Sequence, residues 1–512
     1  MSPFRAIAVL LPILGGLPPQ VLATEGLARG RVFEDRNDNG RMEPGEPGIG
    51  GVAVSNGAAV VLTGADGSYE IPWGPDDRIF VIKPRGWAPP FNALHLPHFY
   101  AERSASPDSV DFALRLNPEP DDLRALVLTD PQPASTKEVG YLERGIADRF
   151  ASRGPFAFGV TLGDVVYDRQ DLYPEVNRAL ARIGVPWFNL LGNHDLNLNS
   201  GGDRAASHGF EAAYGPSTYA FHWGPACFVA LNDVRYLGGP RYLGGLRTDQ
   251  FAFLEQFLPT VGPDEWIVVM AHIPLFSPDP SNLETFRSAD RARLFALLKA
   301  HRRVLLLTGH THYQRHVFHG LADGWDGPEP LHEYNVAAAC GGFWGGPRDS
   351  DGIPLSTQSD GTPPGGAILT IRGNQLLLDY VPARLPPEVQ LTVHAPAVLA
   401  PHQGYVSFYA NVFNGHDGWT VRARIDRREF VPIHRILGWD PTYAAAFLAQ
   451  DAGPLPGPIP RLPDPSISYH LWRSYLPADL GAGAHSLTVE ATDPSGRAYS
   501  ATEIFRVIAG AP

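Results

Sequence analysis

Residue types that bind metal ions occur in this chain in five short clusters. They are Asp130-Pro131-Gln132, Gly163-Asp164 with Asp168 beyond it, Gly192-Asn193-His194-Asp195, His272, and Gly309-His310-Thr311-His312. Mixed oxygen and nitrogen donors of this kind suit Mn, Fe, Zn or Mg according to supply. A carboxylate can bridge two cations. A two-cation clamp lowers the pKa of a bound water and holds phosphoryl oxygens for in-line attack, so metal-dependent hydrolysis is the chemistry these residues offer. The two cysteines, Cys227 and Cys340, are too few for a thiolate zinc site. Both lie in or beside apolar runs and read as separate buried thiols, although an exported chain could pair them.

The clusters are far apart in sequence, so strands must gather them. Each follows a short apolar run: 125–129, 158–162, 187–191, 267–271 and 304–308. In an α/β sheet the carboxyl ends of strands meet at one edge, where ligands bind. Between these runs, 138–150, 173–183, 248–258 and 288–300 carry apolar residues at three- and four-residue spacing, which predicts helices. Thr248 is the expected N-cap of the third. The alternation predicts an α/β domain over 118–383. On either side, short alternating runs split by Gly, Asp and Pro predict an N-terminal β-sandwich over 24–117 and a C-terminal β-rich domain over 384–512. The Pro-rich stretch 453–465 reads as a surface loop. His470-Leu-Trp-Arg473 is expected to pack the last domain on the central one.

At 512 residues the chain is too long for one core. A formal net charge of −13 argues against nucleic-acid backbone or anionic lipid as a partner. Arg5, the apolar run 6–14 and Val21-Leu22-Ala23 predict a signal peptide over 1–23 and an exported protein, periplasmic or extracellular. No later run qualifies as a transmembrane helix.

In their order the five clusters resemble those of the calcineurin-like metallophosphoesterase superfamily, across the whole central domain. The resemblance implies an α/β (α+β) catalytic domain, two mixed β-sheets flanked by helices in a four-layer sandwich, with β-sandwich domains at both ends as in exported multidomain members. It implies that Asp164 bridges two metal ions. Asp130, Gln132 and His312 would complete one, and Asn193, His272 and His310 the other. The implied reaction is hydrolysis of a phosphoric monoester or diester by metal-bound hydroxide, without a covalent phosphoenzyme. His194, the one motif histidine not assigned to metal, is the expected general acid or phosphoryl clamp. Asp195 is expected either to orient and charge it or to cap a loop, and Asp168 to be a solvated loop carboxylate. Glycines before the ligands are expected to permit sharp turns and leave room for phosphate. One departure stands out: Asp-x-Gln replaces the commoner Asp-x-His. An amide oxygen is a weaker, harder donor than imidazole and tilts preference toward Mn or Mg over Zn.

Two further motifs carry expectations. In the loop Cys340–Arg348, Phe343 and Trp344 are candidate walls of a substrate pocket and Arg348 a candidate phosphate partner. Asp35, Asn37, Asn39, Arg41 and Glu46 fit a calcium-loop pattern between strand-like flanks, so a structural Ca2+ is expected. The competing class is a catalytically weak cell-surface binding or scaffold protein.

Overall fold

The computed structural model describes residues 26–105, 109–276, 285–401, 403–450 and 461–509. The predicted signal segment 1–23 and part of the loop 453–465 lie outside them. Three of the five cluster-bearing runs form neighbouring parallel strands, Trp187–Asn189, Gly159–Thr161 and Asp122–Leu128. The antiparallel strands Gly365–Arg372 and Gln375–Pro382 complete this five-stranded sheet. The other two runs, Trp266–Met270 and Val304–Thr308, lie parallel at the centre of a six-stranded sheet. Ala226–Ala230 and Leu331–Asn335 flank them in parallel, with antiparallel edges Tyr219–Trp223 and Arg315–His319. The central strands read as unbroken apolar runs because both of their faces are covered.

Aromatic rings lock the two sheets together. Phe188 stacks on Phe221 at 4.0 Å, and Phe158 meets Phe221, Trp223 and Phe228 at 5.3, 5.0 and 5.0 Å. Such pairs add about 0.5–1.5 kcal/mol each beyond area burial. Helices flank the sheets in packed pairs, Thr136–Leu142 with Tyr173–Ala181 and Thr248–Phe257 with Ser288–Leu298. The fold is therefore the expected pair of mixed sheets with helices outside. In detail, Thr248 is the first helical residue rather than the cap. The cap position is Arg247, whose amide donates to Gln250 Oε1 at 2.8 Å. The helix expected from 138 begins at Thr136, with Ser135 as its cap, and runs on to Ala151 through a π-turn at Glu143–Ala147. A further helix, Asp203–Tyr214, is not among those expected from the sequence; its buried face carries Ala206, Ser207, Phe210, Glu211 and Tyr214. Among the described residues no helix is long and apolar enough to cross a membrane.

Residues before Asp122 form two four-stranded sheets, and residues after Pro382 form a four- and a five-stranded sheet. The first pair shares one hydrophobic core with the central domain, whereas the last pair has its own. The C-terminal domain docks through Asp360. Its carboxylate accepts from Gln314 N (2.8 Å) and meets His470 Nε2 (2.9 Å), while its carbonyl accepts from Asn411 Nδ2 (2.8 Å).

The N-terminal domain is pinned by a buried ion pair. Lys83 and Glu119 side chains are each 2 % exposed and lie 2.5 Å apart. Lys83 Nζ also donates to the His222 carbonyl (2.6 Å), and Glu119 accepts from Gly224 N (2.8 Å). Both acceptor and donor peptides belong to the edge of the six-stranded sheet. Lys83→Met should cost about 3–5 kcal/mol in denaturant unfolding, because Glu119 keeps its charge without its partner. Lys83→Met with Glu119→Gln should recover much of that loss. A single mutant as stable as the parent would contradict this account.

Candidate metal centre

The carboxyl ends of the five strands bring the seven expected ligands into one cluster. Ligand atoms of Asp164, His272 and His310 all lie within 4.8 Å of one another. His272 Nε2 is 3.3 Å from Asp164 Oδ2 and 3.1 Å from Asn193 Oδ1. On the other side His312 Nε2 is 3.5 Å from Asp130 Oδ1. Gln132 reaches Asp164 Oδ2 at 2.5 Å with its amide nitrogen. A half-turn of that amide brings its oxygen, the ligating atom, to the same place. Asp164 thus touches members of both halves.

The donor set fits divalent cations on its own terms. Asp130 and His272 are wholly buried, and Asp164 is 1 % exposed. Asp130 Oδ1 has no hydrogen-bond partner. A buried carboxylate oxygen without a donor is costly unless a cation meets it. The imidazoles are set up to ligate: His272 Nδ1 donates to the Leu162 carbonyl and His312 Nδ1 to the Gly341 carbonyl, each at 2.8 Å. That fixes the tautomer and turns Nε2 inward. Burial and the nearby His272 charge lower His310 to about 4, which keeps it neutral as a ligand must be. Burial opposes a charge on His272, yet Asp164 prevails and lifts it to about 10. Burial likewise opposes charge on Asp164, but His272 holds it well below the usual carboxylate range. A proton and a metal ion compete for His272 Nε2, so cation binding releases that proton.

The loops are strained to reach this geometry. Asp130, Gln132, Asp164, His310 and His312 have φ of 49, 39, 51, 71 and 54°, the left-handed region. Each such residue costs about 1–3 kcal/mol, and the neighbouring structure must hold it there. The glycines serve this nesting rather than making room for phosphate. A Cβ on Gly192 would lie 2.2 Å from Asp164 N and Oδ1, and one on Gly163 2.5 Å from His272 Nδ1. The space beside each glycine is taken by another ligand loop.

Of the two roles expected of Asp195, the structure gives it the loop cap, and the role of orienting His194 falls to Asp168. The wholly buried Asp195 accepts from Gly192 N (2.9 Å), Val165 N (3.1 Å) and Tyr173 OH (3.0 Å), lashing two ligand loops together. Burial, with Asp164 nearby, pushes its carboxyl up to about 7. The partner of His194 is Asp168, whose Oδ1 lies 3.0 Å from Nδ1. His194 N also donates to Asp164 Oδ1 at 2.8 Å, which sets the imidazole beside the cluster. Asp233, unremarked in the sequence, accepts from His272 N (3.0 Å) and Ile273 N (2.9 Å) and holds that loop.

The aromatic loop divides. Phe343 is 38 % exposed and stacks on His312 at 4.2 Å. Trp344 is not a pocket wall: it is buried, and its Nε1 donates to the Pro131 carbonyl at 2.9 Å, bracing the first ligand loop. Arg348 is exposed, its guanidinium 6.0 Å from the Tyr141 ring, which in turn packs on Trp344. Two aromatics were missed. Tyr167 stacks on His194 at 4.2 Å and is signalled by its place one residue before Asp168. Tyr242 meets His310 at 5.7 Å from the hairpin 234–244, where no local pattern announces it. Both cysteines are buried and free.

In the N-terminal loop, Asp35 accepts from Asn39 N (3.2 Å) and Gly40 N (2.8 Å). Asn37 accepts from Asn39 N (3.2 Å), and Asn39 from Arg41 N (2.8 Å). Glu46 accepts from Arg36 N (3.0 Å) and Glu43 N (2.9 Å). These side chains curl the loop around itself.

Family models match the chain in three stretches. One described as Calcineurin-like phosphoesterase matches 123–314, one for the N terminal of Calcineurin-like phosphoesterase matches 36–117, and one for its C terminal matches 333–499. No curated protein matches. Among solved structures, purple acid phosphatase PPD1 from yellow lupin (Lupinus luteus) seeds is 13 % identical, with 65 % of this chain and 66 % of that chain covered and a TM-score of 0.38. The spore cortex lytic enzyme SleM of Clostridium perfringens is 10 % identical, with 76 % and 99 % covered and a TM-score of 0.17. Likenesses at that level carry no argument.

The metal reading has a direct thermal test. Chelation should lower the melting temperature, and Mn2+ at about a hundredfold its dissociation constant should restore about 2.7 kcal/mol. Gly192→Ala, which drives a methyl into Asp164, should blunt that response and lower bound metal measured by elemental analysis. Melting curves indifferent to chelator and Mn2+ would refute a metal-loaded site.

Proposed function

Because the chain belongs to the calcineurin-like phosphoesterase family, a family of phosphoric ester hydrolases, we propose that its central cluster hydrolyses a phosphate ester with two divalent cations, Mn2+ foremost. The observation that carries the proposal is the two-sided cluster around Asp164, with a buried Asp130 oxygen inside it that lies 3.5 Å from His312 Nε2. Asp130, Gln132 and His312 would hold one cation, Asn193, His272 and His310 the other, with Asp164 between. Such a pair supplies a nucleophilic water at neutral pH and charge neutralisation at phosphorus.

The chain's own residues do the rest. Buried walls exclude bulk water from the ligands. Asp195 and Asp233 keep the loops in register by tying down backbone amides. Asp168 holds His194 Nδ1, which leaves Nε2 as the nitrogen that delivers a proton to the leaving oxygen. No Ser, Cys or Asp nucleophile is required, so attack by water is direct.

Two expectations complete the proposal. The chain is exported, on the character of residues 1–23, and the loop 35–46 holds a structural Ca2+, on the oxygen pattern of Asp35, Asn37, Asn39, Arg41 and Glu46.

The test is hydrolysis of paired chromogenic monoester and diester substrates by metal-stripped protein after Mn2+ is restored. Asp164→Asn should lose most turnover. His194→Ala should lose about 10²–10⁴-fold on poor leaving groups with both metals retained. Asp168→Asn should lose about 10–100-fold on the same esters and little on activated ones. Full rate in His194→Ala on poor leaving groups would remove the acid role, and metal-independent turnover would remove the two-cation reading.

A further inference from the structure

Two aromatic rings stand at the open side of the metal centre. Phe343 lies nearly parallel to His312 (4.2 Å, 22°) and Tyr167 nearly parallel to His194 (4.2 Å, 21°). The two meet edge to face at 6.4 Å, so they form a ledge with no slot between them. Each is 38 % exposed. Exposing aromatic area forgoes the stabilisation of burying it. Phe343 in addition holds a φ of 55°, unfavourable for any residue but glycine. Neither ring is needed to fix the histidine it covers: Gly341 already anchors His312, and Asp168 already anchors His194.

The ledge has a defined place in the reaction. A proton donor must sit within hydrogen-bond reach of the leaving oxygen. The group attached to that oxygen therefore departs past His194, over Tyr167 and then Phe343. Asp168, a charged side chain adjoining this path, is itself 38 % exposed, which disfavours an anionic leaving group. We propose that Tyr167 and Phe343 form the leaving-group subsite and select an uncharged alcohol with a flat aromatic portion. The inference rests on the hydrolase reading and adds the substrate class to it.

The test compares benzyl with n-butyl leaving groups, alcohols of similar basicity, each as the phosphate monoester and as the methyl diester, with Mn2+ restored. Wild type should favour benzyl by about fivefold in kcat/KM, through KM. Tyr167→Leu should erase that preference while leaving the butyl kcat within about twofold. Phe343→Gly, whose backbone accepts the positive φ, is the second variant and should do the same. Melting curves check that both fold. Equal benzyl and butyl kinetics in wild type, or a benzyl preference that survives both substitutions, would overturn the subsite while leaving the hydrolase intact. Failure to turn over any of the four esters would overturn the hydrolase reading itself.

Discussion

Two carboxylates, Asp130 and Asp164, are kept together out of water, and the rest of the centre answers to that constraint. Buried like charges repel, and each loses its hydration. Histidines on three loops surround them, an amide and an imidazole touch Asp164, and one Asp130 oxygen is left for a cation. The surrounding bonds are spent on position. Asp195 and Asp233, pushed up to about 7 by burial, take backbone amides of the ligand loops instead of metal. Left-handed backbone at five ligands is tolerable only because glycines let neighbouring loops nest without a gap.

The outer domains attach at opposite edges of the six-stranded sheet, and by different physics. The N-terminal sandwich merges its core with the central one and adds a buried ion pair at the sheet edge. The C-terminal domain keeps its own core and docks through polar contacts around Asp360, which grips Gln314, two residues beyond His312. One domain is thus fused by hydrophobic continuity, and the other is latched by directional hydrogen bonds around a small apolar cluster of Ala337, Tyr380 and Phe413.

What could be read beforehand was whatever local pattern encodes. A ligand type directly after an apolar run marks a strand end, so the seven residues of the cluster around Asp164 and the mixed-sheet architecture were visible. Adjacency in sequence misled where side chains diverge. Asp195 follows His194 but turns into the protein in a short 3-10 turn, while Asp168 arrives from another loop. Phe343 and Trp344 part in the same way, one to the surface and one beneath Pro131. Tyr242 comes from a hairpin whose proximity to His310 exists only in three dimensions. The glycines were recognised as permissive, but what fills the space beside them depends on neighbours that no single segment specifies.

Strand order in the five-stranded sheet has a consequence for biosynthesis. Asp122–Leu128, which leads into the first ligand loop, pairs on one side with Gly365–Arg372, and Trp344 braces that loop from below. Such pairing across a long stretch of chain is slow and pays its closure entropy late. A chain synthesised through all seven candidate ligands still lacks the strand and the indole that hold the first of them. The first ligand loop is therefore completed only when the chain folds back on its own beginning.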